Sequence, residues 1–146
     1  METLSYEIEI NAPKTKIWDI LWSPETYTEW TKFFSPGSQM KSDWKIGGKT
    51  YFTDPSGNGM VSTISTLEEP NEVTFNHLGM IQDGKEDTET KEVKEWSGAP
   101  ERYFLIELDN GNTKLQVEVQ VSSEWKPMMD KGFIEGLKIV KDLSEK

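Results

Sequence analysis

"PMMDKGFIEGLKIVKDL", residues 127–143, decides the fold. Met128, Met129, Phe133, Leu137, Val140 and Leu143 recur at i, i+3 or i+4 spacing, which makes one face of a helix apolar. Pro127 opens that helix where a missing N–H costs nothing. Gly132 and Gly136 lie four apart and so share a face, although each costs ~1 kcal/mol relative to alanine inside a helix. Their bare face can admit a strand, an aromatic ring or a ligand, and tight packing on a sheet is the expected use. No other segment has the length and period of a long helix, so this one is expected to fill the concave side of whatever sheet the rest forms.

The preceding sequence reads as that sheet. "ERYFLIELD" (101–109) and "TKLQVEVQV" (113–121) flank Asn110-Gly111-Asn112, a strong hairpin signal. "MVSTISTLEE" (60–69) and "EVTFNHLG" (72–79) are β-branched and aromatic, split by the turn dipeptide Pro70-Asn71. "QMKSDW" (39–44) and "KTYFTD" (49–54) are strands separated by a bend or bulge at Ile46-Gly47-Gly48, and Pro55–Gly59 is a hairpin turn. At the N-terminus "TLSYEIEI" (3–10) alternates Leu4, Tyr6, Ile8 and Ile10 with Ser5, Glu7 and Glu9, a half-buried strand. Together these give an antiparallel meander of roughly six to seven strands.

Between the first strand and the meander lies "KIWDILWSPETYTEW" (16–30), with three of the six tryptophans. Asn11 is the expected cap of a first short helix, with Pro13 at its start and Ile17, Ile20 and Leu21 as its stripe. Ser23-Pro24-Glu25 restarts a second short helix that runs towards Trp30, Phe33 and Phe34. This is more aromatic surface than one buried stripe requires. The surplus is expected to line a cavity, with Trp30 and Phe33 at its mouth and Trp18 and Trp22 outside it against the sheet edge. "QDGKEDTETKEVKEWSGAP" (82–100) breaks the rhythm and reads as a long solvated loop or extended hairpin tip, with Trp96 as an anchor if it serves as a lid or partner contact.

Composition narrows the function classes. The 146 residues form a single domain, 1–146, large enough to fold without staples. The absence of cysteine excludes disulfides, thiolate metal sites and cysteine nucleophiles. A net charge of −10, with Lys and Arg scattered, argues against nucleic acid and anionic membranes as partners. No apolar run reaches the ~18–20 residues of a membrane span. "METLSYEIEI" has neither a basic start nor an apolar core, so no signal peptide is expected and the cytoplasm is the default location.

The order of elements is an α+β helix-grip arrangement: a curled antiparallel sheet around a long C-terminal helix, with two short helices after the first strand. The chain resembles the helix-grip (SRPBCC, START-like) superfamily. Within it, the chain is most similar to the branch named for the C-terminal domain of the activator of the heat-shock-protein-90 ATPase. The resemblance spans essentially the whole chain and is carried by "IWDILWSPETYTEW", "IGG", "SGNG", "EEPNEVTFNH", "NGNTKLQVEVQ" and "GFIEGLKIVKDL". Phe133, where that branch usually has tryptophan, and the charged 82–100 stretch depart from the pattern. The resemblance implies a ligand cavity between sheet and helix. The branch name raises a co-chaperone-like interaction module, with 82–100 as its contact, though an additional N-terminal domain of the kind such co-chaperones carry is not expected here.

No nucleophile elbow, phosphate loop, zinc-protease motif or EF-hand is present, and no cofactor or metal is expected. His77, the only histidine, lies in period with Val73 and Phe75 and so faces inward; it is a hydrogen-bonded structural residue or a polar group at the cavity wall, and the one weak catalytic candidate. Asp54, Glu68, Glu69, Glu101, Glu107 and Glu118 are read as carboxylates of a solvated face. Tyr51, Tyr103 and Arg102 are possible donors to a bound carbonyl, with a surface ion pair the plainer use of Arg102. The expected ligand-binding set is Trp30, Phe33, Phe34, Tyr51, Phe75, His77, Tyr103, Met129 and Phe133, with Met128 beside it. The expected function is binding of a small hydrophobic molecule without catalysis. The alternatives are a cavity enzyme of cyclase or hydrolase type and the protein-interaction module.

Overall fold

The computed structural model describes residues 1–146. The chain runs β1 (Glu2–Ile10), α1 (Lys14–Trp22), α2 (Pro24–Trp30), β2 (Gln39–Ser42), β3 (Lys49–Thr53), β4 (Gly59–Glu68), β5 (Glu72–Gln82), β6 (Lys85–Asp87), α3 (Lys91–Lys94), β7 (Pro100–Glu107), β8 (Thr113–Val121) and α4 (Lys126–Ser144), the last entered through one 3-10 turn at Ser123–Trp125. The strands form one antiparallel sheet in the order β1-β8-β7-β5-β4-β3-β2, curled around α4. No helix is long and apolar enough to cross a membrane.

The sheet has eight strands rather than six to seven, and the extra one comes from the charged stretch. β6 turns back at Asp83-Gly84 and pairs with the C-terminal end of β5 (Met80 with Asp87), while β7 pairs with its N-terminal end (Glu72 with Phe104). The backbone of Gly98 and Ala99 bonds to His77 between the two. Segment 82–100 is therefore stitched to the sheet rather than free. Thr90 caps α3 by accepting from the Val93 N–H, and Val93 and Ala99 are buried. The composition of the segment is that of a solvated loop, but two small apolar residues are enough to seat it.

Elsewhere the local chemistry works as read, with three corrections. Asn11 does not cap α1: Pro13 holds the cap position without a side-chain bond, and the Asn11 N–H instead donates to Glu145 at the end of α4 (2.8 Å). "QMKSDW" is a strand only to Ser42. Trp44 takes a left-handed backbone (φ 54°), its N–H held by the Ser42 hydroxyl, and this turns its ring onto Trp18, Trp22 and Phe75. The glycine face of α4 receives α2 and the turn after it, not a strand: a Cβ on Gly132 would strike the Phe34 ring, and one on Gly136 would lie 2.6 Å from the Trp30 carbonyl oxygen.

The core lies between the inner face of the sheet and α1, α2 and α4. Phe133, Leu137 and Val140 of α4 join Leu4, Ile10, Ile64, Val73, Phe75, Tyr103, Leu105, Leu115, Val117 and Val119 of the strands. Both ends of α4 are tied to β1, through the Tyr6 hydroxyl on Asp130 (2.6 Å) and the Lys141 ammonium on the Glu9 carbonyl (2.8 Å). Trp22 is the hub of the aromatic cluster, 4.9 Å from Tyr103 and 5.5 Å from Phe75 between ring centroids. Trp18 and Trp22 pack within this core and not at a sheet edge.

Candidate functional site

The core does not fill the whole interior. Between α2 and the turn after it, the β3–β4 hairpin, the end of β5 and the first turns of α4, an open cavity of about 530 Å³ remains. That lies within the roughly 300–1,000 Å³ of small-molecule sites. Tyr27, Trp30, Phe34, Phe52, Tyr103 and Phe133 supply rings to it, and Met60, Met80, Met128 and Met129 supply thioethers that can adapt to an irregular shape. Met80, Trp125 and Met128 are the exposed apolar residues at the opening. Trp18 and Trp22 stay outside the cavity, as their place in the sequence led us to expect.

Of the sequence-derived set, Trp30, Phe34, His77, Tyr103, Met129 and Phe133 converge on this space. Three do not. Phe33 points out to solvent, with the Lys32 ammonium 5.8 Å from its ring centre, so it cannot close the mouth. Tyr51 lies on the outer face of β3, its hydroxyl donating to Glu86 (3.3 Å). Phe75 faces inward but is fully buried behind the cavity, among Trp22, Phe52 and Tyr103. Trp30 is deep in the wall rather than at the mouth; its indole N–H donates to the Leu21 carbonyl (3.0 Å) and locks the α1–α2 joint.

The residues missed are Tyr27, Phe52, Met60, Met80, Trp125 and, above all, Glu101. Phe52 replaces Tyr51, its neighbour, because a one-residue shift in register exchanges the two faces of a strand. Glu101 carried a usable signal: it stands two residues before Tyr103 and so shares that residue's inward face. It is not a solvated-face carboxylate. One of its oxygens accepts from Nε2 of His77 (3.1 Å) and the other from the Tyr103 hydroxyl.

Behind the histidine, the Ser62 hydroxyl lies 2.6 Å from Nδ1. With Ser62 donating to Nδ1, the imidazole proton sits on Nε2 and points at Glu101, which satisfies all three groups. The order matters chemically. The carboxylate faces the cavity and the hydroxyl is fully buried, so Ser62 is no nucleophile. No three His, Cys, Asp or Glu side chains converge on a possible metal position. Arg102 lies on the outer face of β7 and makes no ion pair.

Two phenols of the wall respond to this charge. Burial first, and the Glu101 carboxylate second, push the Tyr27 and Tyr103 hydroxyls well above the ordinary phenol value of 10.0. Tyr6 is also raised, by burial and then by its bond to Asp130. A raised phenol stabilises the fold fully below its unfolded value and loses that contribution as the pH rises through its folded value. The expected alkaline titration, followed by phenolate absorbance, shows these three of the four tyrosines ionising only together with loss of near-ultraviolet circular dichroism. Three independent ionisations near the ordinary value in a still-folded protein would contradict the burial of these hydroxyls.

The fold has counterparts among known proteins. Residues 11–140 match the family described as activator of Hsp90 ATPase homolog 1-like protein. No curated protein matches the sequence significantly. Among solved structures, the Aha1 dimer from Colwellia psychrerythraea superposes with a TM-score of 0.72 at 16% identity, covering 99% of this chain and 97% of that one. Protein Ms6760 from Mycobacterium smegmatis gives 0.61 at 23% identity over 98% and 88%, and CalU16 from Micromonospora echinospora 0.65 at 15% over 97% and 65%. At these identities the likeness is one of fold.

Proposed function

The chain belongs to the activator of Hsp90 ATPase homolog 1-like family, and from that membership and the cavity we propose that it binds a small apolar molecule between the curled sheet and the first turns of α4. The observation that carries the reading is the cavity itself: about 530 Å³, walled by rings and methionines from α2, four strands and α4. Burial of a ligand against such walls is favourable by roughly 25 cal/mol per Å² of apolar surface removed from water.

The test uses N-phenyl-1-naphthylamine, an apolar dye uncharged near neutral pH. It is expected to bind saturably at one site and to quench indole emission, since Trp30 and Trp125 line the cavity. Met129→Trp, which fills the mouth from a half-buried position, is expected to weaken binding about tenfold or more. Non-saturable binding, or equal affinity in the variant, would refute the site.

A second reading, a cavity enzyme, is favoured by the Ser62–His77–Glu101 chain. Because the hydroxyl is buried, only proton transfer by Glu101 or His77 to a bound molecule is open to it, not acyl transfer. Product formation that stops in Glu101→Gln while binding persists would establish it. A protein-contact role for 82–100 has less support: Val93 and Ala99 face inward and the Ser97 hydroxyl is spent on the Leu78 carbonyl.

A further inference from the structure

Glu101 is out of keeping with a purely apolar ligand. Its side chain is only 20% exposed, and it lines the cavity. Its two protein partners, His77 and Tyr103, are hydrogen-bond donors rather than a lysine or arginine. Of the sixteen Lys and Arg residues, none lines the cavity. The other lining carboxylate, Asp54, is engaged in the β3–β4 turn, where one oxygen accepts from the N–H groups of Ser56 (2.8 Å) and Asn58 (3.0 Å).

A carboxylate oxygen has two lone pairs, so each oxygen of Glu101 keeps one acceptor position after its protein bond is made. Ser62 and His77 form a buried prop that holds the group in place, and Phe52 packs edge-on to the His77 ring (6.1 Å between centroids). A carboxylate partly withdrawn from water and without a lysine or arginine partner stabilises a cation brought to it, through a charge-assisted bond. The rings of Trp30, Phe34, Tyr103 and Phe133 line the same space, and an aromatic face within about 6 Å of a cation attracts it. A ligand carboxylate would meet Glu101 with no counter-charge in the wall, in a chain whose net charge is −10.

We propose that the molecule this cavity accepts is an apolar amine, its protonated nitrogen seated on the Glu101 carboxylate and its hydrocarbon against the aromatic walls. The proposal rests on the cavity-binding reading and narrows it: fatty acids and other apolar anions are excluded. His77 and Ser62 are positioning residues that orient the carboxylate.

The test compares three ligands of one shape by calorimetric titration near neutral pH: 1-naphthylmethylamine, 1-naphthylmethanol and 1-naphthoate. The amine is expected to bind about ten- to a hundredfold tighter than the alcohol, and the naphthoate weakest. Glu101→Gln is expected to weaken the amine about ten- to a hundredfold and to remove its advantage over the alcohol, with circular dichroism reporting that the variant is folded. In the wild type the preference for the amine should persist at about 0.5 M salt, because a partly buried pair is screened less than surface charge. Equal binding of amine and alcohol by the wild type overturns the proposal. So does a preference that survives Glu101→Gln or disappears in salt. Should Glu101→Gln fail to fold, the wild-type ratio and its salt dependence decide. Binding of the alcohol without an advantage for the amine leaves the cavity reading standing and sinks only this one; no binding by any of the three sinks both.

Discussion

Trp22→Ala is expected to lower folding stability by about 3–5 kcal/mol. The indole is buried and touches five other rings: Trp18, Tyr27, Trp44, Phe75 and Tyr103. They come from α1, α2, the turn after β2, β5 and β7, so no single element can move in to fill the space. Edge-to-face pairs add about 0.5–1.5 kcal/mol each beyond the area buried. The indole N–H has no hydrogen-bond partner, so the side chain serves by shape and not by its polar atom. Trp22→Phe should therefore retain most of the stability, whereas alanine should lower the melting temperature by roughly 10–20 °C in calorimetry. A loss under about 1 kcal/mol for alanine would mean that the cluster repacks and that Trp22 does not fix the helices to the sheet.

The second large effect is expected at Gly136. A Cβ there lies 2.6 Å from the Trp30 carbonyl oxygen and 3.1 Å from its ring. Neither can yield easily, because the Trp30 indole N–H is anchored on Leu21 and the Thr31 N–H on the Tyr27 carbonyl. Overpacking of this kind costs about 1–3 kcal/mol, and the helix-propensity gain of alanine offsets only about 1 kcal/mol of it. Gly136→Ala should be net destabilising. Gly136→Val, with two more methyl groups and a poorer helix propensity, should cost about 3 kcal/mol or more. Gly132→Ala offers the contrast: what it meets is the Phe34 ring, a half-buried side chain that can swing aside. Its stability should change little, but the displaced ring narrows the cavity and dye binding should weaken. Chemical denaturation of the three variants beside the dye titration checks both halves. Equal stability losses at 132 and 136 would show that α2 and its following turn do not dock against α4 as the distances indicate.

These two sites also show what local sequence could and could not specify. The alternation of β1 and the stripe of α4 are properties of neighbouring residues, and both appear where the periods of two and 3.6 place them. The two short helices follow from Ser23-Pro24 and again stand where the chemistry puts them. The faces of residues outside regular periods were not legible. Phe33 and Phe34 follow the end of α2, and only the turn over Thr31–Ser35 decides that the second ring enters the cavity and the first does not. In β5, Leu78 is an extra residue between the pairs Ser62–His77 and Val61–Gly79, and in β4 Ser65 is another between Ile64–Phe75 and Thr66–Thr74, so the inward set on these two strands cannot be counted from one end. The glycine pair correctly signalled a close approach, but its occupant, α2, is set by how two helices meet. Glu101 reads as a surface acid on charge alone, although its spacing from Tyr103 places it inward. Period outranks polarity for which way a strand side chain points, and an acid on the inward period marks a site rather than an exception.

The most direct measurement is a crystal structure of the protein with N-phenyl-1-naphthylamine bound. The dye is expected between the sheet and the start of α4, in contact with Trp30, Tyr103, Phe133 and Met129, with the backbone essentially as in the free protein. Dye lodged on the outer face of the sheet, or an interior that Phe34 and Met129 have closed so that no space for a ligand remains, would contradict the binding cavity on which the functional reading depends.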